Sequence, residues 1–192
     1  MTYPWPKCLP IDLATRTDAF APFTNIVDWG CGPYNLNPIS ASVLGIDCNL
    51  LTSVDIFSSY ESIVLPKQTS AKKHIFVCED ILKLSRKMVE EEQSIDLSLC
   101  LDIVEHLEYD DASEFIRNVC QISRVTLIWI PLGNAPIESD EFGYGNEHMI
   151  HRSTWTASQL RALGLKVQVI RDFHTERFGW RVDGGWAWNV NS

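Results

Sequence analysis

The sequence predicts an α/β domain: a seven-stranded, mostly parallel sheet with an antiparallel C-terminal strand and helices on both faces. Three observations carry this expectation. Short, nearly continuous apolar runs alternate with helical or loop segments, the pattern of parallel strands covered on both sides. The first run, in Asn25-Ile26-Val27-Asp28-Trp29-Gly30-Cys31-Gly32-Pro33, ends in an acid and a tight Gly-x-Gly turn. The C-terminal third then changes to alternation, over Lys166 to His174 and Trp186 to Val190, suited to an antiparallel pair.

The elements follow in order. Ile26-Val27 opens the sheet, and Val43 to Ile46 forms the next strand, closed by Asp47. His74 to Cys78, Ile95 to Leu101 and Val125 to Ile130 are the remaining members of the parallel set. Between them, Asp111 to Ser123 places Phe115, Ile116, Val119 and Ile122 on one helical stripe; Ile81 to Glu92 does so less cleanly with Leu84, Met88 and Val89. Thr156 and Gln159 form a capping box opening a short helix that Gly164 ends. A loop containing Asp183-Gly184-Gly185 joins the two last strands. Pro131 to Ile150 is the longest irregular stretch, and such stretches in compact domains are often functional.

Composition narrows the function classes. The chain has 192 residues, 45% hydrophobic and 21% charged, ordinary for a globular protein. A formal net charge of −9, with no basic run beyond Lys72-Lys73, argues against nucleic acid as a partner, because phosphate binding needs clustered Lys and Arg. No apolar run approaches the roughly 20 residues that span a membrane. The start, Met1 to Pro6, lacks the features of a signal peptide, so a cytoplasmic location is expected. The six cysteines have no metal-ligand spacing and are expected to be reduced packing residues.

A strand, a glycine turn and an acid closing the next strand make a nucleotide-cradling half-fold. The dinucleotide fingerprint G-x-G-x-x-G needs a third glycine at position 35, which is Asn35, and this weighs against a nicotinamide oxidoreductase. The remaining Asp-x-Gly-x-Gly resembles the first motif, (D/E)-x-G-x-G-x-G, of the Rossmann-like (class I) S-adenosylmethionine-dependent methyltransferases, with Tyr34 in place of the third glycine, as in the G-C-G-P variant. The resemblance covers roughly Ile26 to Val190. It implies the Rossmann-like methyltransferase fold and S-adenosyl-L-methionine as cofactor. It also implies one methyltransferase domain over residues 1–192: a lead-in (1–24), a cofactor-binding core (25–130), and an acceptor-site loop, helix and strand pair (131–192).

Carried over residue by residue, the family pattern assigns cofactor roles. The backbone of Gly30, Cys31 and Gly32 passes beneath the methionine moiety and ribose, where a Cβ would collide. Asp28 supports the turn and orients water or the ammonium group. Asp47 accepts the ribose hydroxyls, and Asp80 accepts from the adenine amino group. Carbonyls around Leu101 and Asp102 line the methionine side. Asp80 has the alternative of capping the helix at Ile81, and Asp47 that of beginning a turn.

A second constellation, Leu101-Asp102-Ile103-Val104-Glu105-His106-Leu107, follows the fourth strand. Asp102 and Glu105 fit a capping box for the next helix. They also resemble the E-x-x-E-H segment that holds a divalent metal ion in ubiquinone-biosynthesis O-methyltransferases and small-RNA 2′-O-methyltransferases. In the latter a further histidine lies four residues before a tryptophan, matched here by His151 and Trp155. The resemblance thus implies Asp102, Glu105, His106 and His151 as metal ligands. Without metal, His106 or His151 is the candidate catalytic base, and His148 the weaker one.

The segment after the fifth strand, Trp129-Ile130-Pro131-Leu132-Gly133-Asn134, lacks the N-P-P-Y or D-P-P-Y of enzymes that methylate exocyclic or amide nitrogens. Pro131 to Trp155 and Phe173 to Trp188 are expected to build the acceptor pocket. Trp129, Trp155, Trp180, Trp186 and Trp188 are either stacking surfaces or core anchors. The first expectation is O-methylation of a small-molecule or glycan-type acceptor. The alternatives are metal-assisted 2′-O-methylation of RNA and a catalytically silent cofactor-binding subunit.

Overall fold

In the computed structural model, which describes residues 9–10, 23–33, 47–66, 69, 71–139, 145–174 and 181–191, seven strands form one sheet of order β3-β2-β1-β4-β5-β7-β6. They are β1 (Phe23–Trp29), β2 (Cys48–Asp55), β3 (Lys73–Cys78), β4 (Ile95–Leu101), β5 (Ser123–Leu132), β6 (Lys166–His174) and β7 (Val182–Val190). β1 to β5 run parallel, and β7 runs antiparallel to both β5 and β6. The carboxyl ends of β1, β2, β3, β4 and β5 therefore share one edge of the sheet. The predicted class, with its antiparallel C-terminal strand, is the observed one.

Helices α1 (Glu61–Val64), α2 (Ile81–Glu90), α3 (Tyr109–Ile122) and α4 (Ala157–Ala162) connect the strands. On one face Trp29, Val54, Cys100, Ile128 and Ile130 pack against α2, α3 and α4 through Leu82, Phe115, Ile116, Val119 and Leu160. On the other, Ile26, Leu51, Leu97, Leu99, Trp129 and Trp186 form a second buried layer. The register aligns Asp28, Ser53 and Phe76 on that second face, and Val64 of α1 joins the small cluster that Phe76 packs against. The α3 stripe is as predicted, with Phe115, Ile116 and Val119 fully buried. Thr156 and Gln159 form both bonds of the capping box, and Gly164 follows α4 with φ +87°. Among the described residues no helix is long and apolar enough to cross a membrane.

Two predictions need correction. The strand beside β1 is Cys48–Asp55; Val43 to Ile46 lie outside the described residues. Asp47 precedes this strand rather than closing it. Thr52 and Ser53 interrupt the apolar run and hide the strand in the sequence. In the fold, Ser53 is fully buried and its hydroxyl meets His74 Nε2 at 2.9 Å across to β3. Second, Gly184 and Gly185 lie inside β7, opposite Pro131 and Ile130, not in a hairpin loop. A Cβ on Gly184 would come within 2.1 Å of the Trp129 ring, and one on Gly185 within 2.8 Å of Leu132. Glycine in a strand interior commonly marks such a close approach.

The tryptophans among the described residues are core anchors. Trp29, Trp129, Trp155 and Trp186 have no exposed surface, and Trp188 has 5%; Trp180 lies outside the described residues, as does Cys8. The five described cysteines are free, and Cys31, Cys48 and Cys100 are buried. Burial pushes the Cys31 and Cys100 thiols well above the ordinary range, as expected of packing residues.

Candidate active site at the carboxyl edge of the sheet

The glycine turn begins from a fixed point. Trp29 Nε1 donates to Ser98 Oγ at 2.9 Å, and the indole packs edge-on against Phe115. Beyond it the chain turns left-handed at Gly30 (φ +64°) and Gly32 (φ +58°), a region only glycine enters without cost. Cys31 N donates to Val54 O and Gly32 N to Asp55 Oδ2, both at 2.9 Å, so the turn is bonded to the end of β2. The two glycines differ in what they leave room for. A Cβ on Gly30 would lie 2.2 Å from the Ile103 side chain, whereas nothing among the described residues lies within 4 Å of one on Gly32. Gly30 is thus required by a protein contact, and of the two only Gly32 faces open space among the described residues. Cys31 turns its side chain inward onto Tyr60 and Val64. Asp28 is buried at 2% exposure beneath the turn, in register with Ser53 and Leu99.

The acids divide between the two ends of the sheet. Phe23 pairs with Cys48, so Asp47 sits beside the start of β1, at the amino edge. The strand that follows carries the chain about 23 Å, at about 3.3 Å per residue, before it reaches the turn. The acid at the carboxyl edge is Asp55, which the sequence reading missed because it depended on locating β2. Asp55 is 7% exposed, and its second oxygen accepts from Phe57 N at 3.0 Å. Burial raises its carboxyl, while these backbone donors and the nearby His148 favour the ionised form. Beside it Ile56 is 38% exposed. Asp80 does cap α2, its Oδ1 accepting from Lys83 N at 2.8 Å. Leu101 and Asp102 stand at the carboxyl end of β4, next to β1.

The second constellation does not form a capping box. Asp102 takes a left-handed conformation (φ +49°), with its N–H donating to Trp129 O, and throws the chain into a 3-10 turn, Val104–His106. The N-cap of α3 is Glu108, without a side-chain cap bond. Released from capping, Glu105 and His106 turn inward, at 2% and 8% exposure. Glu105 O accepts from Arg152 N and Ser153 N, at 2.8 and 3.1 Å, and these bonds bring the 150s loop alongside. Trp155 secures that loop: its carbonyl accepts from Gly133 N at 2.8 Å, and its ring is stacked under Tyr109 at 4.8 Å. The four-residue interval from His151 to Trp155 thereby sets His151 against His106, ring centroids 4.8 Å apart.

Glu105, His106 and His151 each offer one ligand atom, all within 4.8 Å of one another. His106 Nδ1 faces Ile150 O and His151 Nδ1 faces Ala135 O, so with Nδ1–H donating in each, His151 Nε2 is left as an acceptor, while the Asp102 backbone also bonds the His106 ring. Burial pushes the His106 imidazole down to about 3 and also lowers His151, favouring the neutral, ligating form. Asp102 is not in this trio. Its Oδ2 and Glu105 Oε2 are both buried without a donor, and the two carboxyls face each other. Burial raises both groups, and a shared proton is what lets them stay together. Ligands at roughly 2.0–2.2 Å around one divalent ion lie about 3.3–3.6 Å apart in a tetrahedral site and about 4.4 Å apart when opposed, so the trio would have to draw in by up to about an ångström or slightly more to hold one.

No protein-family model matches the sequence, and neither does any curated protein. Solved structures match over nearly the whole chain. The small RNA methyltransferase HEN1 superposes with TM-score 0.56 at 18% identity, over 94% of this chain and 25% of that one. An O-methyltransferase family protein from Burkholderia thailandensis gives 0.57 at 15%, over 94% and 55%. Magnesium protoporphyrin IX methyltransferase from Synechocystis, with bound S-adenosylhomocysteine, gives 0.58 at 16%, over 93% and 78%. The chain thus spans a quarter of the first and about half of the second. At these identities the likeness is one of fold, and the strand order, the glycine turn and the direction of β7 agree with it: the chain has the Rossmann-like (class I) fold of the S-adenosylmethionine-dependent methyltransferases.

Proposed function

We propose that the chain is an S-adenosylmethionine-dependent O-methyltransferase, acting on a hydroxyl of a small-molecule or glycan-type acceptor. The observation that carries the cofactor assignment is the open space over Gly32, flanked by the Asp55 carboxylate and the exposed Ile56. A carboxylate suits a ribose diol, and an exposed isoleucine suits the apolar face of a purine. In this reading Asp55 takes the ribose role expected of Asp47. Asp80 keeps Oδ2 for the adenine amino group, and Leu101 and Asp102 supply carbonyls to the methionine side. Asp28 supports the turn from below.

When bound, S-adenosylmethionine supplies an already activated methyl group, so the chain has mainly to hold acceptor oxygen, methyl carbon and sulfur in line. Such positioning is worth on the order of 7–11 kcal/mol of barrier. The C–S bond breaks as the C–O bond forms, sulfur keeps the electron pair, and the hydroxyl gives up its proton to solvent water. Calorimetry with S-adenosylhomocysteine tests the assignment: saturable binding is expected, with none for NADH. Preference for NADH would overturn it.

The convergence of Glu105, His106 and His151 favours a metal-assisted form of this reaction. A divalent ion held there, with Asp102 completing the set once its shared proton has left, would lower the acceptor hydroxyl's pKa. His106, whose imidazole burial lowers to about 3, is a poor proton acceptor near neutrality, which makes ligation its better use. Metal analysis of the purified protein should find about one divalent ion per chain, lost in His151→Ala. A chelator should cut methyl transfer by a factor of ten or more, restored by Mg²⁺ or Mn²⁺. Full activity in the chelator would remove the ion from the mechanism and return His106 or His151 to the role of base. An RNA 2′-hydroxyl is compatible with such a centre, but the net charge of −9 favours a small acceptor.

A further inference from the structure

The segment after β5 leaves the sheet and returns to it at one place. Gly133 N donates to Trp155 O, and His151 N donates to Ile137 O at 3.0 Å, so both legs are bound together at the end of β5. The far part is anchored elsewhere. Asn146 is 2% exposed although no helix or strand contains it, and its Nδ2 donates to Tyr60 Oη at 3.0 Å. Its Oδ1 accepts from His148 N at 3.0 Å and starts the 3-10 turn Glu147–Met149. Tyr60 belongs to the turn after β2, is fully buried, and packs in one cluster with Cys31 of the glycine turn.

In the sheet order β2-β1-β4-β5 these attachments lie three strands apart, about 14 Å at the usual spacing. Between them lie the ends of β1 and β4, carrying the Gly30–Gly32 turn and Asp102. Residues 146–151, held at Tyr60 by Asn146 and at Ile137 by His151, therefore cross over both halves of the site. The proximity of His148 to Asp55 agrees with this path.

We propose that Asn146 and Tyr60 are positioning residues: their hydrogen bond fastens the loop over the cofactor site and sets how fast S-adenosylhomocysteine leaves. The proposal rests on the cofactor assignment above. Breaking the bond takes one hydrogen bond from a buried amide and a buried hydroxyl, a loss that translates into roughly two- to tenfold in an equilibrium or rate. Because the latch holds the roof and not the nucleotide itself, its loss raises the off-rate while the contacts of Asp55 remain.

The test is a displacement experiment with labelled S-adenosylhomocysteine on the intact chain. Tyr60→Phe, which keeps the buried ring, should speed release on the order of tenfold; Asn146→Ala, which also loses the bond from His148 N, should speed it at least as much, and adding Tyr60→Phe to Asn146→Ala should speed it little further, because the shared bond is already gone. Hydrogen exchange without cofactor should show the His148 and Met149 amides opening faster in Tyr60→Phe. Unchanged release and exchange in folded Tyr60→Phe would overturn the proposal alone. Failure of the unmodified protein to bind S-adenosylhomocysteine would overturn the cofactor assignment, and this inference with it.

Discussion

Asp55→Ala should abolish most cofactor affinity, while Asp47→Ala should leave it within about threefold. Each hydrogen bond from a ribose hydroxyl to a buried carboxylate contributes on the order of 1.5–3 kcal/mol. Losing two such bonds raises the dissociation constant for S-adenosylhomocysteine by roughly a hundredfold or more. Asp55 also accepts from Gly32 N and Phe57 N, so the alanine variant loosens the turn as well as the ligand. Asp55→Asn separates the two effects: it keeps one oxygen acceptor and the packing but loses the charge, and should fall between. Asp47 stands at the opposite end of β2 and has no route to the same pocket. Titration calorimetry on the three variants decides the matter. Equal losses at Asp47 and Asp55, or a larger one at Asp47, would sink the assignment of the ribose site to the carboxyl edge.

Gly30→Ala should be strongly destabilising for a single added methyl group. Its φ of +64° costs a side-chain-bearing residue about 1–2 kcal/mol, and the added Cβ would sit 2.2 Å from Ile103. Overpacking of this kind adds roughly 1–3 kcal/mol. Together they lower the melting temperature by about 5–15 °C for a domain of this size. The displaced Ile103 lies between Asp102 and Val104, so the variant should weaken cofactor and metal binding alongside stability. Ile103→Ala in the same chain removes the collision but not the backbone cost, and should recover about half of the lost stability. Gly32→Ala, with the same φ sign but open space, should instead cost only the backbone term in the free protein. Its effect on cofactor binding should be larger than on melting. A melting scan that ranks Gly32→Ala below Gly30→Ala would contradict this division of labour.

The cluster at Glu105, His106 and His151 shows how a short motif acquires meaning from distant parts of the chain. Taken locally, Asp102 and Glu105 have the spacing of a capping box, and nothing in seven residues excludes it. What decides is the left-handed turn at Asp102 together with the bonds from Arg152 and Ser153 to the Glu105 carbonyl. Those bonds join segments nearly fifty positions apart. They exist because Trp155 is fixed beside Gly133 at the end of β5. The His-x-x-x-Trp interval was legible in the sequence; the reason for it, a buried indole tied to a strand end, was not.

The sequence by itself determined the class of the fold, because parallel strands covered on both faces must be continuously apolar and the helices between them must carry a stripe. It also determined the glycine turn and the acids and histidines available to a site. Only the tertiary structure decided which acid stands at which end. β2 contains a half-buried Thr52 and a buried Ser53, and Ser53 is satisfied by His74 of the neighbouring strand, a partner that no local window contains. A strand hidden by its own polar residues shifts its closing acid from Asp47 to Asp55. In the same way, Gly184 and Gly185 have the local look of a turn, yet they are strand residues because Trp129 and Leu132 need their missing side chains. Local pattern reports what each segment must bury; which neighbour makes that burial possible is settled by packing across the sheet.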